Sequence, residues 1–95
     1  METNKILRFE VNITKKIGSR FVESSIENQV LILTEKNSAP FSSWDWARIQ
    51  ADNIILYWEE IGVEKKIETE DENGLLWLGK KGNKVYQIKV VDISE

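Results

Sequence analysis

Residues 42–62, SSWDWARIQADNIILYWEEIG, carry the signals of one long helix, and this constrains the fold more than any other part of the chain. Ser42 is a favourable N-cap because its hydroxyl can accept a hydrogen bond from an unpaired backbone N–H of the first turn. Phe41 and Trp46 occupy the positions of a hydrophobic staple around this cap. Gly62 suits the left-handed position that commonly follows the last helical residue.

The apolar residues of this helix form one wide stripe. At about 100° per residue, the centre of the stripe holds Ala47, Ala51, Ile54, Trp58 and Ile61, with Trp44, Ile55, Trp46 and Tyr57 at its borders. A stripe this wide needs an apolar surface to cover it, so the helix is predicted to pack on a sheet. Trp58 is expected to be buried because it lies near the middle of the stripe.

Ile49 and Leu56 do not fit this stripe. They are seven residues apart, so they stack on the opposite side of the helix. Carboxylates surround them there, namely Asp45, Asp52, Glu59 and Glu60. A helix with an apolar ridge inside its acidic face is either covered on both sides or presents a docking surface, and we expect both aliphatic side chains to be exposed.

Two strands are predicted before the helix from clear patterns. Residues 5–16 alternate between apolar and polar side chains, which indicates a strand whose buried face holds Leu7, Phe9, Val11 and Ile13. Residues 30–35, VLILTE, form a continuous apolar run rich in branched residues, which predicts a buried strand. Residues 36–40 are predicted to be a loop.

The segment between these strands is ambiguous. Residues 20–29, RFVESSIENQ, fit either a short helix that begins after Ser19 or a strand over residues 20–25 with a loop near Glu27 and Asn28. The two adjacent serines are poor helix formers, which favours the strand.

Three further strands are predicted after the helix. Residues 63–70 alternate but have few apolar residues, which is typical of an edge strand protected by lysine and glutamate. Residues 71–74, DENG, contain the Asn-Gly pair that favours a tight hairpin turn. Residues 75–79 and 84–93 complete the sheet, with a second turn at residues 80–83.

The element order β-β-β-α-β-β-β predicts an α+β domain that spans residues 1–95. Hairpin connections favour a mainly antiparallel sheet of about six strands, with one central amphipathic helix packed on one face. The length suits a single domain with a modest core.

The composition excludes several chemistries. The chain has no cysteine and no histidine, so thiolate nucleophiles, disulfides and imidazole metal ligands are excluded. The acidic run over residues 70–74 lacks the alternate spacing of a calcium-binding loop. We therefore expect no catalytic residue, no cofactor and no metal site, and hence no enzyme.

Charge and hydropathy restrict the partners and the location. The net charge of −3 opposes broad binding to nucleic acid or anionic membranes. No apolar run approaches the ~20 residues that span a bilayer, and residues 1–10 do not have the pattern of a signal peptide. A cytoplasmic protein without membrane contact is expected.

Two basic turns offer an alternative. Lys80, Lys81 and Lys84 lie around one predicted turn, and Lys15, Lys16 and Arg20 lie around another. Such turns can contact phosphates, although solvated loop lysines are the more common case. Nucleic acid is therefore expected to be a less favoured partner than protein.

The resulting hypothesis is a non-enzymatic, small acidic protein-binding module. Its predicted partner-binding residues are Ile49, Leu56, Asp45, Asp52, Glu59, Glu60 and Trp46. An acidic surface suits an inhibitor or immunity-type protein that neutralises a basic partner such as a nuclease or a toxin. The alternatives are an accessory protein that contacts nucleic acid through the basic turns, and a homo-oligomeric structural subunit, for example a homodimer, that buries Ile49 and Leu56 against a second copy.

Overall fold

The computed structural model describes residues 5–23 and 28–94 of the 95-residue chain. The described elements, in chain order, are β1 (Leu7–Ile17), β2 (Arg20–Glu23), β3 (Gln29–Leu33), α1 (Glu35–Ser38), α2 (Ser43–Glu60), β4 (Glu64–Asp71), β5 (Gly74–Lys81) and β6 (Lys84–Asp92). The predicted α+β class is confirmed.

All described strand pairs are antiparallel, as predicted. The order across the sheet is β2, β1, β6, β5, β4, and β3 also pairs with β1. β2 pairs with residues 14–17 of β1 and β3 pairs with residues 7–11, so both lie along the same edge of β1. The six strands therefore make a sheet that is five strands wide, with β4 at one edge and β2 and β3 at the other.

The core lies on one face of this sheet. β1 alternates as predicted, so Leu7, Phe9, Val11 and Ile13 are all buried. They form one cluster with buried residues of β5, β6 and α2, which include Leu75, Trp77, Tyr86, Ile88, Val90, Ala47, Ala51 and Trp58. The alanines of α2 allow its backbone to lie close to the strands, because they add little side-chain bulk.

Trp58 joins the helix to the sheet. It is only 4% exposed, as predicted. Its ring lies 5.1 Å from that of Tyr86 in an edge-to-face arrangement and 5.6 Å from that of Trp77. Both separations fall in the range that stabilises aromatic pairs beyond the area they bury. A Cβ on Gly79 would lie about 2.5 Å from the Trp77 indole, so the missing side chain makes room for this cluster.

The helix α2 begins and ends at the predicted signals. The Ser42 hydroxyl accepts a hydrogen bond from the Asp45 N–H at 3.1 Å, and Phe41 stacks on Trp46 with 5.6 Å between ring centroids. Gly62 adopts a φ of 98°, which a residue with a side chain rarely adopts. These local interactions explain why the sequence determined the limits of the helix.

Two predictions for the segment before the helix are wrong. β3 exists, but Val30, Leu31 and Ile32 are 54%, 45% and 47% exposed, because this strand lies at the sheet edge and only Leu33 is buried. The predicted loop contains the short helix α1, which begins at a capping box. There, the Thr34 hydroxyl accepts from the Asn37 N–H at 3.2 Å, and the Asn37 Oδ1 accepts from the Thr34 N–H at 2.8 Å.

The ambiguous segment is a strand as far as it is described. β2 covers Arg20–Glu23, so the strand interpretation is confirmed over those residues. The rest of that prediction, over residues 24–27, lies outside the described residues. At the opposite edge, every residue of β4 is exposed, and its glutamates and lysines protect it as predicted.

We expect Trp58→Ala to lower the free energy of unfolding by about 3–5 kcal/mol, because it removes a large buried side chain and leaves a cavity. Chemical denaturation monitored by circular dichroism measures this change. The adjacent Tyr57 is the matched control, since Tyr57→Ala removes an exposed aromatic ring and should change stability by no more than about 0.5 kcal/mol. Similar losses in the two variants would contradict the described packing.

Candidate functional site

The side of α2 that faces away from the sheet carries the two most exposed large apolar side chains of the helix. Leu56 is 59% exposed and Tyr57 is 61% exposed. We call this surface the outer helix face. It comprises Asp45, Ile49, Asp52, Asn53, Leu56, Tyr57, Glu59 and Glu60. The packing of Trp58 against the sheet fixes this orientation, because adjacent residues on a helix point about 100° apart.

The structure places the predicted carboxylates together on this face. Asp45, Asp52, Glu59 and Glu60 are all exposed. Leu56 is exposed as predicted, whereas the predicted exposure of Ile49 is wrong, because Ile49 is half-buried. The apolar part of the surface is therefore centred nearer to the C-terminal end of the helix than the sequence indicated.

Trp46 and Tyr57 were both predicted at the border of the apolar stripe, and the structure shows them with different exposure. Trp46 is half-buried, stacks on Phe41 and packs against the core, so it helps to hold the start of the helix. Tyr57 was expected at the border of the packing stripe but is exposed. Its position at the border of the stripe, about 80° from the centre at 100° per residue, did not settle its exposure, since a border residue is covered only when the sheet extends beneath it.

Among the described residues, the carboxylates of the outer helix face have no ion-pair partner. α2 contains four carboxylates and one arginine, and that arginine, Arg48, pairs with Glu70 of β4. Within the described residues no lysine or arginine forms an ion pair with Asp45, Asp52, Glu59 or Glu60. The last helical turn contains no basic residue, so Glu59 and Glu60 oppose the helix dipole and do not serve helix stability.

The carboxylates of β4 are arranged differently. Glu64 pairs with Lys66 at 3.1 Å, and Glu68 pairs with Lys65 at 3.0 Å. These exposed pairs contribute little to stability, but they neutralise much of the charge of the strand. The unpaired negative charge is therefore concentrated on the helix.

The two basic turns meet at one end of the sheet. The Lys16 N–H donates to the Asn83 carbonyl at 2.7 Å, and the Asn83 side-chain amide donates to the Lys16 carbonyl at 3.2 Å. The strand register places Lys84 directly opposite both Lys15 and Lys81. We call this surface the basic end; it comprises Lys15, Lys16, Arg20, Lys80, Lys81 and Lys84. Like charges in opposite positions repel, so this clustering costs stability.

A shallow depression of about 250 Å³ lies near the β4–β5 turn and has Asp71 and Leu75 among its lining residues. The Asp71 carboxylate accepts hydrogen bonds from the Asn73 N–H at 2.7 Å and the Gly74 N–H at 3.0 Å. This carboxylate therefore holds the tight turn. Among the described residues, no three carboxylates come together in an arrangement that could hold a metal ion.

Comparison of the chain with protein-family models, with curated proteins and with solved structures found no match. In the described part of the chain, no helix has the length and apolar character needed to cross a membrane. The outer helix face and the basic end are the two described surfaces on which charges of one sign gather.

The environment of Asp92 changes the pKa of its carboxyl group. Its carboxylate accepts hydrogen bonds from the hydroxyl and from the backbone N–H of Ser94, and these lower the pKa of Asp92. Desolvation opposes this shift, and the ammonium group of Lys5, 4.0 Å away, reinforces it. Because the pKa is lower in the folded state, the ionised carboxylate stabilises the fold above its ordinary pKa, and this contribution is lost as the pH falls through the folded-state pKa.

We expect Ser94→Ala to raise the pKa of Asp92 toward its ordinary value, because the variant removes the hydroxyl that contributes most to the shift. The backbone N–H of residue 94 remains, so part of the lowering should persist. An NMR titration that follows the Asp92 carboxyl carbon measures both effects. An unchanged titration midpoint would show that the hydroxyl does not stabilise the carboxylate.

Proposed function

We propose that this protein is a non-enzymatic binding module that docks on another protein through its outer helix face. One observation carries the proposal. Leu56 and Tyr57 are the most exposed large apolar residues of α2, follow one another in sequence about 100° apart around the helix, and lie among carboxylates that form no ion pair within the described residues. A single exposed leucine is ordinary, whereas an exposed apolar pair within an unpaired acidic surface favours an interface.

The helix is well suited to present these side chains. Tyr57 immediately precedes Trp58, whose ring is held by Trp77 and Tyr86, so the backbone beneath the exposed pair is anchored to the core. Tyrosine is enriched among residues that dominate binding energy. A rigid helix face also loses little conformational entropy when it binds.

The surrounding charge indicates the chemistry of the partner. The exposed carboxylates of α2 form no ion pair with any described residue, so a partner with a basic surface would supply the opposite charge. Complementary charge accelerates encounter and disfavours wrong partners. An inhibitor or immunity-type protein that neutralises a basic nuclease or toxin is the function that best fits a small acidic module of this kind.

The direct test is the double variant Leu56→Ser/Tyr57→Ser. Exposed substitutions rarely change stability by more than about 0.5 kcal/mol each, so the variant should fold. The free energy of binding to the partner should become less favourable by about 1–3 kcal/mol, since truncation at the centre of an interface has effects of this size. The partner is first captured from cells of the native host on immobilised wild-type protein, and the affinities are then measured by calorimetry.

The matched control is Ile67→Ser/Ile93→Ser, which removes two exposed aliphatic side chains outside the outer helix face. It should bind as the wild type does. Equal losses in both double variants, or no loss in either, would contradict the proposed surface. The double variant Asp52→Asn/Glu60→Gln should mainly lower the association rate constant and make that rate constant less dependent on salt.

A second candidate function, contact with nucleic acid, is favoured by a different observation. The fold joins the two basic turns into the basic end and retains cross-strand lysine pairs that repel each other. A phosphate backbone would relieve this repulsion. Binding of this type weakens with salt. The logarithm of the binding constant falls against the logarithm of the salt concentration with a slope of about −0.9 for each phosphate neutralised on a double helix.

The leading proposal predicts no measurable binding to DNA or RNA at physiological salt, because the net charge is negative and the outer helix face would repel phosphates. Fluorescence anisotropy across a salt series tests this with the wild type, with Lys80→Glu/Lys81→Glu, and with the charge-matched control Lys36→Glu/Lys89→Glu. Salt-dependent binding that only the first variant abolishes would favour the second candidate.

A further inference from the structure

The two edges of the sheet differ in how they are protected. β4 carries six charged residues and an irregular register between Lys65 and Ile67, features with which proteins discourage strand pairing. β3, Gln29–Leu33, has no charged residue and no proline. Its Val30, Leu31 and Ile32 are about half exposed. An uncharged apolar edge of this kind invites pairing with another strand.

The hydrogen bonds of β1 show which backbone N–H and C=O groups of β3 point away from β1. The Lys16 N–H donates toward β6, to Asn83, whereas the Ile13 N–H donates to Asn28 Oδ1 on the β3 side at 2.8 Å. Backbone groups of successive residues alternate between the two neighbours of a strand. The odd-numbered residues of β1 therefore bond β3, and the even-numbered residues bond β6.

The register then identifies the outward groups. Val30 lies opposite Glu10, and Ile32 lies opposite Arg8. Both partners are even-numbered, so Val30 and Ile32 direct their N–H and C=O groups away from β1, to the edge of β3 with which no other described strand pairs. The Ile32 carbonyl accepts one hydrogen bond from the Asn37 side-chain amide at 3.0 Å, which confirms this direction. A carbonyl oxygen has a second lone pair, so it can accept another hydrogen bond.

We propose that β3 pairs antiparallel with β3 of a second copy, so that two sheets join into one. A two-fold axis at Leu31 places each Leu31 opposite its counterpart and Val30 opposite Ile32 of the second copy. This register aligns the outward N–H and C=O groups of one chain with those of the other, and it places apolar side chains against apolar side chains on both faces of the joined sheet.

A second copy fits this edge better than the other edge of the same sheet would. Pairing of β3 with β4 of another copy would bring apolar side chains against the charged residues of β4, and this head-to-tail contact would leave free edges that propagate. Pairing of β3 with itself introduces no charge within Gln29–Leu33 and closes after two chains.

The contact is small. Two five-residue strands bury less than the about 1,600 Å² of a standard interface, so the dimer should dissociate on dilution. Sedimentation equilibrium over a series of concentrations should show a reversible monomer–dimer equilibrium for the wild-type chain. A wild-type protein that stays monomeric throughout the series would overturn the proposal.

Charge substitutions locate the interface. Val30→Lys/Ile32→Lys should be monomeric, because the register would place lysines opposite each other, whereas Ile67→Lys on β4 should dimerise as the wild type does. Mixing the double lysine variant with Val30→Glu/Ile32→Glu should restore a heterodimer, which a simple folding defect could not do. Dimerisation that survives the double lysine substitution but is lost in Leu56→Ser/Tyr57→Ser would overturn the proposal and place self-association on the outer helix face.

A single cysteine tests the register. The chain contains no cysteine, and Leu31 opposite its counterpart would be a non-hydrogen-bonded pair with Cα atoms about 4.5 Å apart, which lies within the range for a disulfide. Leu31→Cys should therefore form a covalent dimer in oxidised glutathione much faster than Ile67→Cys at the opposite edge. Equal rates for the two variants would exclude the proposed axis.

Discussion

The packing of Trp58 against Trp77 and Tyr86 is the interaction on which the rest of the structure depends. It fixes the rotation of α2 about its own axis, and thereby determines which side chains face the sheet and which face solvent. Gly79 is part of the same arrangement, because a side chain there would collide with the Trp77 indole. The exposure of Leu56 and Tyr57 is consistent with this anchoring, since at about 100° per residue they point roughly 160° and 100° away from Trp58 around the helix.

The charges of the molecule are separated more sharply than the net charge of −3 indicates. The outer helix face holds carboxylates without ion pairs, whereas the basic end gathers cations from two turns that are far apart in the chain. Each surface lowers the stability of the fold. The outer helix face does so because carboxylates lie at the C-terminal end of the helix dipole, and the basic end does so because lysines repel each other across strands. Surfaces that oppose stability in this way are reasonable places to look for function.

The edge strand β3 is a third surface feature that does not favour the isolated monomer. β4 follows the usual rules for an exposed edge, whereas β3 departs from them: three of its aliphatic side chains are exposed, and no described strand pairs with its outer edge. The departure lies on a different surface from the outer helix face. The proposed pairing of β3 and the proposed docking of a partner therefore involve different residues of the molecule.

The sequence by itself determined the elements that depend on local interactions. The cap at Ser42, the glycine at position 62, the alternation of β1 and the burial of Trp58 follow from signals within a few residues, as do the carboxylates of the outer helix face and the exposure of Leu56. Only the tertiary structure decided that β3 is exposed, that Ile49 is half-buried while Tyr57 is open, and that the two basic turns meet. An apolar run is the same whether its strand lies at the centre or at the edge of a sheet, and a border position on a helix is covered only if a neighbour reaches it. These outcomes depend on contacts between distant parts of the chain, which periodicity and local propensity do not contain.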